Sequence, residues 1–425
     1  MLSAKIDKIS ELIDGKRVIT KKPELLAPAG SLEKLKIAVH YGADAVFIGG
    51  REFGLRSNAG NFSIEEMREG VEFASRYGSK VYVTTNIFAH NENMDGLEEY
   101  LQAVESAGVT GIIVADPLII ETCRTVAPKL ELHLSTQQSL SNWKAVQYWK
   151  EEGLNRVVLA RETSGDEIQL MKEKVDIEIE TFVHGAMCIA YSGRCTLSNH
   201  MTARDSNRGG CCQSCRWDYD LYEQTTDGQE QALFTEDDVP FAMSPKDLKL
   251  LESIPRLIEL EIDSLKVEGR MKSIHYIATV VSVYRKVIDA YCADPENFQM
   301  QQSWLEELEK CANRETDTAF FEDEPGFEQQ MYRVHDKKLG YDFVGLVLEY
   351  NEETQIVTLQ QRNYFKPGDK VEFFGPEIEN VEMVINEIVD EKGQVLDAAR
   401  HPLQVVRFKC PTKLYPNNMM RKGMK

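Results

Sequence analysis

Between Pro23 and about Asp294, short apolar runs alternate with stretches in which apolar residues recur every three or four positions. The runs are Glu24–Ala29, Ala45–Gly49, Val81–Asn86, Gly111–Ala115, Glu131–Ser135, Arg156–Ala160, Ile177–Phe182 and Ser264–Val267. Short apolar runs separated by helical segments are the signature of parallel βαβ units. The segments between them, such as SLEKLKIAVHYGA and SIEEMREGVEFASRYG, carry helical periodicity, with Ser31 and Ser63 at N-cap positions and Glu in the first turn. Eight such units in roughly 270 residues predict an α/β fold of the (β/α)8 TIM type, which usually takes about 250. A doubly wound sheet is the competing arrangement, but no Gly-rich dinucleotide fingerprint follows the first strand.

The rhythm breaks once. Between the seventh and eighth runs lie about eighty residues, far more than an ordinary βα connection, and a barrel opens that loop onto its C-terminal face, where active sites are built. The predicted divisions are an N-terminal amphipathic helix over residues 1–22 and a barrel over 23–294 with a cysteine-rich insertion at 185–243. A helix and acidic linker follow over 295–335. Residues 336–425 change to period-two alternation (GLVLEY, QIVTLQQ, DKVEFFG, VEMVINEI, LQVVRF), which predicts a small β-barrel.

Charge narrows the function classes. The chain carries 49 basic and 69 acidic residues, a net −20, which argues against general nucleic-acid affinity. No run approaches the ~20 apolar residues of a membrane span, and the N-terminus has no apolar core of a signal peptide. A cytoplasmic protein without membrane attachment is expected. One basic island stands out: residues 185–217 hold Arg194, Arg204, Arg208 and Arg216 against the single acid Asp205. It suits an anionic substrate, or offsets the charge of thiolates.

Five of the nine cysteines, Cys188, Cys195, Cys211, Cys212 and Cys215, crowd into that island. A reducing compartment disfavours disulfides there, and thiolates are ligands for soft metals. Four ligands fit zinc or an iron–sulfur cluster. Cys188, Cys195 and Cys215 are required on spacing; the fourth is Cys211 or Cys212. Six residues separate Cys188 from Cys195, unlike the compact C-x₂₋₄-C knuckles of structural zinc. Polar residues at strand ends should face the same mouth: Asn86, Asp116, Gln137, Arg161, Glu162, Glu180, His184, Lys266, Glu268 and Arg270. Glu180 and His184, abutting the cysteine loop, are the catalytic candidates. Arg51, Arg56, Arg194, Arg204, Arg208, Lys266 and Arg270 are the candidates for binding an anionic substrate. The basic end, with Lys413, Arg421, Lys422 and Lys425, offers a second nucleic-acid contact.

The strings FVHGAMCIAYSGRCTLSN, PELLAPAGSLEKLKIAVHYGADAVFIGG, SPKDLKLL and LKVEGRMKS resemble the collagenase-like peptidase family U-32, over nearly the whole chain. Within it the likeness is to the branch that hydroxylates tRNA, converting the wobble uridine to 5-hydroxyuridine. That resemblance implies a 4Fe–4S cluster on Cys188, Cys195, Cys211 and Cys215, with prephenate or a similar anionic small molecule as hydroxyl source. It also implies tRNA as partner, and possible pairing with a homologous family member as a non-catalytic subunit. The family label makes a peptidase the alternative enzyme. No His-Glu-x-x-His or Gly-x-Ser-x-Gly motif occurs; a cysteine nucleophile would need a His beside it in space, and His184, four residues before Cys188, is the candidate partner.

Overall fold

The computed structural model describes residues 8–13, 15–54, 61–217, 219, 222–232, 243–331 and 340–424. Strands β1 (Ser10–Ile13) and β2 (Lys16–Ile19) form an antiparallel hairpin turning at Gly15, whose φ is +78. This corrects the N-terminal helix: of the described residues before β1 only Lys8 and Ile9 are helical. The Asp14-Gly15 pair is a hairpin signal that outweighs the helical spacing of Ile9, Leu12 and Ile13. Residues 1–7 lie outside the described ones.

Seven parallel strands follow: β3 (Glu24–Pro28), β4 (Ala45–Gly49), β5 (Lys80–Thr85), β6 (Gly111–Val114), β7 (Glu131–Leu134), β8 (Arg156–Val158) and β9 (Glu178–Gly185). The insertion then carries the hairpin β10 (Tyr222–Gln224) and β11 (Glu230–Ala232), and a short strand β12 (Asp247–Lys249). Strand β13 (Ser264–Val267) pairs in parallel with both β9 and β3, at Ser264 with Glu180 and with Glu24, and so closes an eight-stranded barrel. The predicted strands match within a residue or two except that β9 runs on to Gly185. That extension holds β12 antiparallel, with Leu248 opposite Gly185.

Helices follow the strands as the N-cap pattern predicts. Ser31 accepts from the Lys34 amide, and Ser63 forms a reciprocal capping box with Glu66. Outward strand residues such as Leu25, Val46 and Val83 pack under helices in the main core. Each fully buried Leu or Ile contributes roughly 1.5–3 kcal/mol. Inside the barrel, Leu26, Ala45, Phe47, Tyr82 and Ile113 form a separate small cluster.

A chain of charges continues that interior. Arg156 donates to Glu24 (2.6 Å) and Glu180 (3.2 Å), and Lys266 Nζ donates to Glu180 (2.7 Å). Glu180 is wholly buried. Burial pushes its carboxyl up, but Lys266 and Arg156 outweigh that and hold it below the usual range.

Residues 295–331 do not hang as a linker. The helix Gln302–Glu309 is followed by β14 (Thr316–Asp317), which extends the barrel sheet beside β12, and Leu308, Cys311, Phe321 and Met331 are buried. Those apolar positions, spaced through the acidic stretch, fold it onto the barrel.

The C-terminal part is an antiparallel sheet of eight strands: β15 (Tyr341–Asn351), β16 (Ile356–Gln361), β17 (Lys370–Gly375), β18 (Ile378–Val384), β19 (Ile388–Asp390), β20 (Val395–Leu396), β21 (Val405–Lys409) and β22 (Met419–Gly423). Their order is β18-β17-β22-β15-β16-β21-β19-β20 around a core that includes Val344, Phe365, Phe373 and Val406. Arg421 ties the sheet to the helix Gln302–Glu309. Its buried guanidinium lies 2.5 Å from Glu372 and 2.7 Å from Glu307, and 4.3 Å over the Phe374 ring. No described helix is long and apolar enough to cross a membrane.

Candidate functional site

The C-terminal ends of the barrel strands and the inserted loop enclose a cavity of about 590 Å³. All five clustered cysteines line it. The loop that carries them is tied down at both ends of its first half. Glu162, at the end of β8, accepts from the Ser192 amide (3.0 Å) and hydroxyl (3.1 Å). Gly193, at φ +77, brings the loop so close to Gln137 that a Cβ would lie 2.1 Å from its carbonyl oxygen. Ser206 and Asn207 then donate to the Cys195 carbonyl at 2.5 and 3.3 Å.

The thiols fall into two groups. Electrostatic repulsion links Cys188 with Cys195 and Cys215, and Cys215 with Cys195 and Cys211. Burial pushes the Cys188 thiol up to about 11, its sulfur neighbours adding to the rise and the Ala190 amide and Arg161 opposing it. Burial likewise raises Cys215. Cys212 stands apart. Its sulfur lies 3.3 Å from the Ser198 hydroxyl and 3.4 Å from that of Thr202, and hydrogen bonding with Ser198, then with Thr202, lowers its pKa to about 7. Among the described residues no three His, Cys, Asp or Glu side chains are close enough together to hold a single metal ion.

Cations share the lining with the thiols. Arg161, Lys266, Arg270, Lys272 and Arg216 line the cavity, with Glu268 the one carboxylate among its lining residues. Arg161 stacks 3.6 Å over the Phe182 ring, and Lys266 Nζ lies 4.5 Å over that of Phe47. Arg270 donates to Thr84 (3.0 Å) and Asn61 (2.9 Å). Its guanidinium passes under Gly49, where a Cβ would sit 2.4 Å from Nη2; only glycine leaves that room. Lys272 donates to Asn313 (2.8 Å), and burial lowers its ammonium below the usual lysine value.

Several expected site residues lie elsewhere. Glu180 is not at the mouth: the inward face of β9 places it deeper, locked between Arg156 and Lys266. His184 is also displaced from the cavity. Its ring packs against Tyr276 and Tyr284 of the helix Ile274–Ala293, with Nδ1 3.3 Å from the Tyr284 hydroxyl. Burial, with Lys272 and Lys249 nearby, pushes it down to about 3. A neutral ring so held is not a partner for Cys188. Arg194 is exposed, donating to Ser139, and Arg204 is exposed as well. Arg208 is paired with Glu92 and Asn93, and Arg51 is exposed outside the cavity. Of the four arginines of the basic island only Arg216 lines the cavity. Arg56 lies outside the described residues.

Lys266, Arg270, Asn86, Gln137, Arg161 and Glu268 do line the cavity. Asp116 instead caps the helix Pro117–Val126 and accepts from the Ala89 amide. At the chain end, Arg421 is buried in its ion pairs, Lys413 pairs with Glu352, Lys422 with Asp369, and Lys425 is outside the described residues. Sequence reading did not single out Lys272, Thr84, Ser135 or the paired rings Phe47 and Phe182. The strand-end rule that found Lys266 and Arg270 reaches Lys272, two residues on.

Comparison with known proteins gives the family context. The model for peptidase family U32 matches residues 30–331, and that for the family's C-terminal domain matches residues 340–421. The tRNA hydroxylation protein P1 of Bacillus subtilis is 77% identical over 422 residues, 99% of this chain and 100% of that one. The tRNA hydroxylation protein P of Haemophilus influenzae is 34% identical, covering 89% and 91%. A 23S rRNA 5-hydroxycytidine synthase of Escherichia coli is 37% identical over 273 residues, 64% of this chain and 40% of that one.

Proposed function

The chain belongs to peptidase family U32, and from that premise we propose that it is an RNA-modifying enzyme that hydroxylates a pyrimidine base in the thiol-lined cavity. Similarity to relatives named for tRNA and rRNA hydroxylation supports the reaction class. In finer detail, the product is 5-hydroxyuridine at the wobble position of tRNA. The observation that carries the proposal is one cavity lined by all five clustered cysteines together with Arg161, Arg216, Lys266, Arg270 and Lys272.

We propose that Cys188, Cys195, Cys211 and Cys215 would hold a 4Fe–4S cluster, a reading supported by four thiols lining one cavity. A lone zinc, with bonds of about 2.3 Å, needs sulfurs converged on one point, whereas a cube presents four separate iron corners to four thiolates. When bound, such a cluster supplies electron transfer or a Lewis-acidic iron corner next to the substrate. Cys212, already engaged by Ser198 and Thr202, is left out of the set.

The chain's own residues do the rest. Replacing C–H by C–OH removes two electrons from the base, so the hydroxyl donor must accept two. An anionic donor of the prephenate type would meet Arg161 and Arg270 as bidentate partners for carboxylates. Lys266, fixed from below by Glu180, supplies a point charge between the Phe47 and Phe182 rings. Those rings exclude water and strengthen each charge contact. His184, buried and neutral, takes no proton from substrate; it braces β9 against the helix Ile274–Ala293.

The test is nucleoside mass spectrometry of RNA from cells lacking this protein and any close paralogue. Loss of 5-hydroxyuridine and its derivatives, restored by the wild-type chain, is expected. Unchanged modification in that strain refutes the proposal.

A further inference from the structure

Around the cavity mouth, side chains that usually seek burial face solvent. Ile189, Tyr191, Met201, Trp217 and Met271 are each between 41% and 58% exposed. Met271 itself lines the cavity, and Ile189, Tyr191 and Trp217 each adjoin a lining residue, namely Cys188, Ser192 and Arg216. Met201 sits on the helix Leu197–Thr202, whose first residues line it as well. Exposed apolar groups gathered at one rim mark a contact surface. Exposed Arg194 and Arg204 stand among them, while the same stretch holds only one acid, Asp205.

We infer that this rim is a docking surface for the unpaired loop of a folded RNA, with Tyr191 and Trp217 stacking on bases that flank the one entering the cavity. The inference rests on the hydroxylase reading and names how its substrate is gripped. Charge complementarity selects the occupant: a chain of net −20 repels nucleic acid except where arginines cluster, and they cluster here. The chemistry of the rim selects single-stranded over duplex RNA. Aromatic faces and guanidinium planes stack on splayed bases, which a paired helix keeps covered. Two exposed arginines can position a few phosphates but cannot track a long duplex. A loop also leaves its bases free to turn inward without the cost of unpairing.

The experiment uses the purified full chain and two labelled probes, a short RNA stem–loop with unpaired uridines and a fully paired duplex of the same composition. Tyr191→Ala and Trp217→Ala should each weaken stem–loop binding about tenfold, while Tyr191→Phe and Trp217→Phe keep it. Duplex binding should be weak and the same in all. Stem–loop quenching of tryptophan fluorescence should vanish in Trp217→Phe although affinity is retained. Failure of the wild-type chain to bind or modify any RNA overturns the hydroxylase reading and this surface together. RNA that is bound and hydroxylated equally well by the doubly Ala-substituted chain overturns the surface alone. A dimer that Trp217→Ala converts to monomer, with stem–loop affinity unchanged, assigns the rim to a second copy of the chain and overturns RNA docking.

Discussion

Cys211 and Cys212 are neighbours in sequence and opposites in environment. Cys211 interacts with Cys215, which in turn interacts with Cys195, whereas Cys212 is turned toward the hydroxyls of Ser198 and Thr202. Replacing Cys188, Cys195, Cys211 or Cys215 by Ser should therefore abolish the broad visible absorption and the iron content of anaerobically purified protein. Cys212→Ser should retain both. Bleaching by Cys212→Ser with a coloured Cys211→Ser would reverse the assignment. Spacing alone left these two residues open, since a one-residue step moves the side chain without changing the pattern. The hydroxyls that separate them sit ten or more positions earlier and become visible only in three dimensions.

At the scale of elements, the eight strands were legible because parallel strands under helices are apolar on both faces. The first hairpin was not, since its short alternation also fits a helical spacing. Of the interior charges, Glu180 and Lys266 were legible as polar residues near strand ends, whereas Glu24 and Arg156, at strand starts, were not; the network was hidden because the four come from four different strands. Glu180→Gln should destabilise the chain by about 3–5 kcal/mol, since Arg156 and Lys266 lose the anion between them. Urea unfolding monitored by circular dichroism reads this, and a loss below about 1 kcal/mol would show the network to be dispensable. The contacts of the helix Ile274–Ala293 give a pH dependence. His184 packs against it and His275 lies within it, and both are pushed down to about 3, by burial first and by nearby cations second. An unfolded histidine titrates near ~6.5, so between those values the unfolded chain binds more protons than the folded one. Stability is thus fully present above about pH 6.5 and falls as pH drops toward 3, by up to about 1.4 kcal/mol per unit for each ring. Urea midpoints at pH 7.5 and 5.0 should show the fall, and His275→Phe should flatten it. An unaltered slope in that variant would remove His275 from the account.

On the scale of the whole molecule, an acidic body surrounds a basic cavity. Several cations outside the cavity are already paired: Arg208 with Glu92, Lys413 with Glu352, Lys422 with Asp369, and the buried Arg421 with Glu372 and Glu307. Arg421 in particular ties the C-terminal sheet to the helix Gln302–Glu309. Few phosphates can therefore be neutralised. The slope of log affinity for RNA against log salt should be about −2 or shallower, at about 0.7 per single-strand phosphate; a slope of −5 or steeper would mean an extended basic surface absent from this description. The central claim is hydroxylation inside the cavity, and an anaerobic assay with purified iron-loaded protein tests it most directly. Unmodified tRNA and prephenate are supplied, and 5-hydroxyuridine is read by mass spectrometry. Product should form without dioxygen, and it should be lost in Cys188→Ser and sharply reduced in Arg161→Ala. Product formed equally well by both variants, or none from the iron-loaded wild type with any anionic donor, would contradict it.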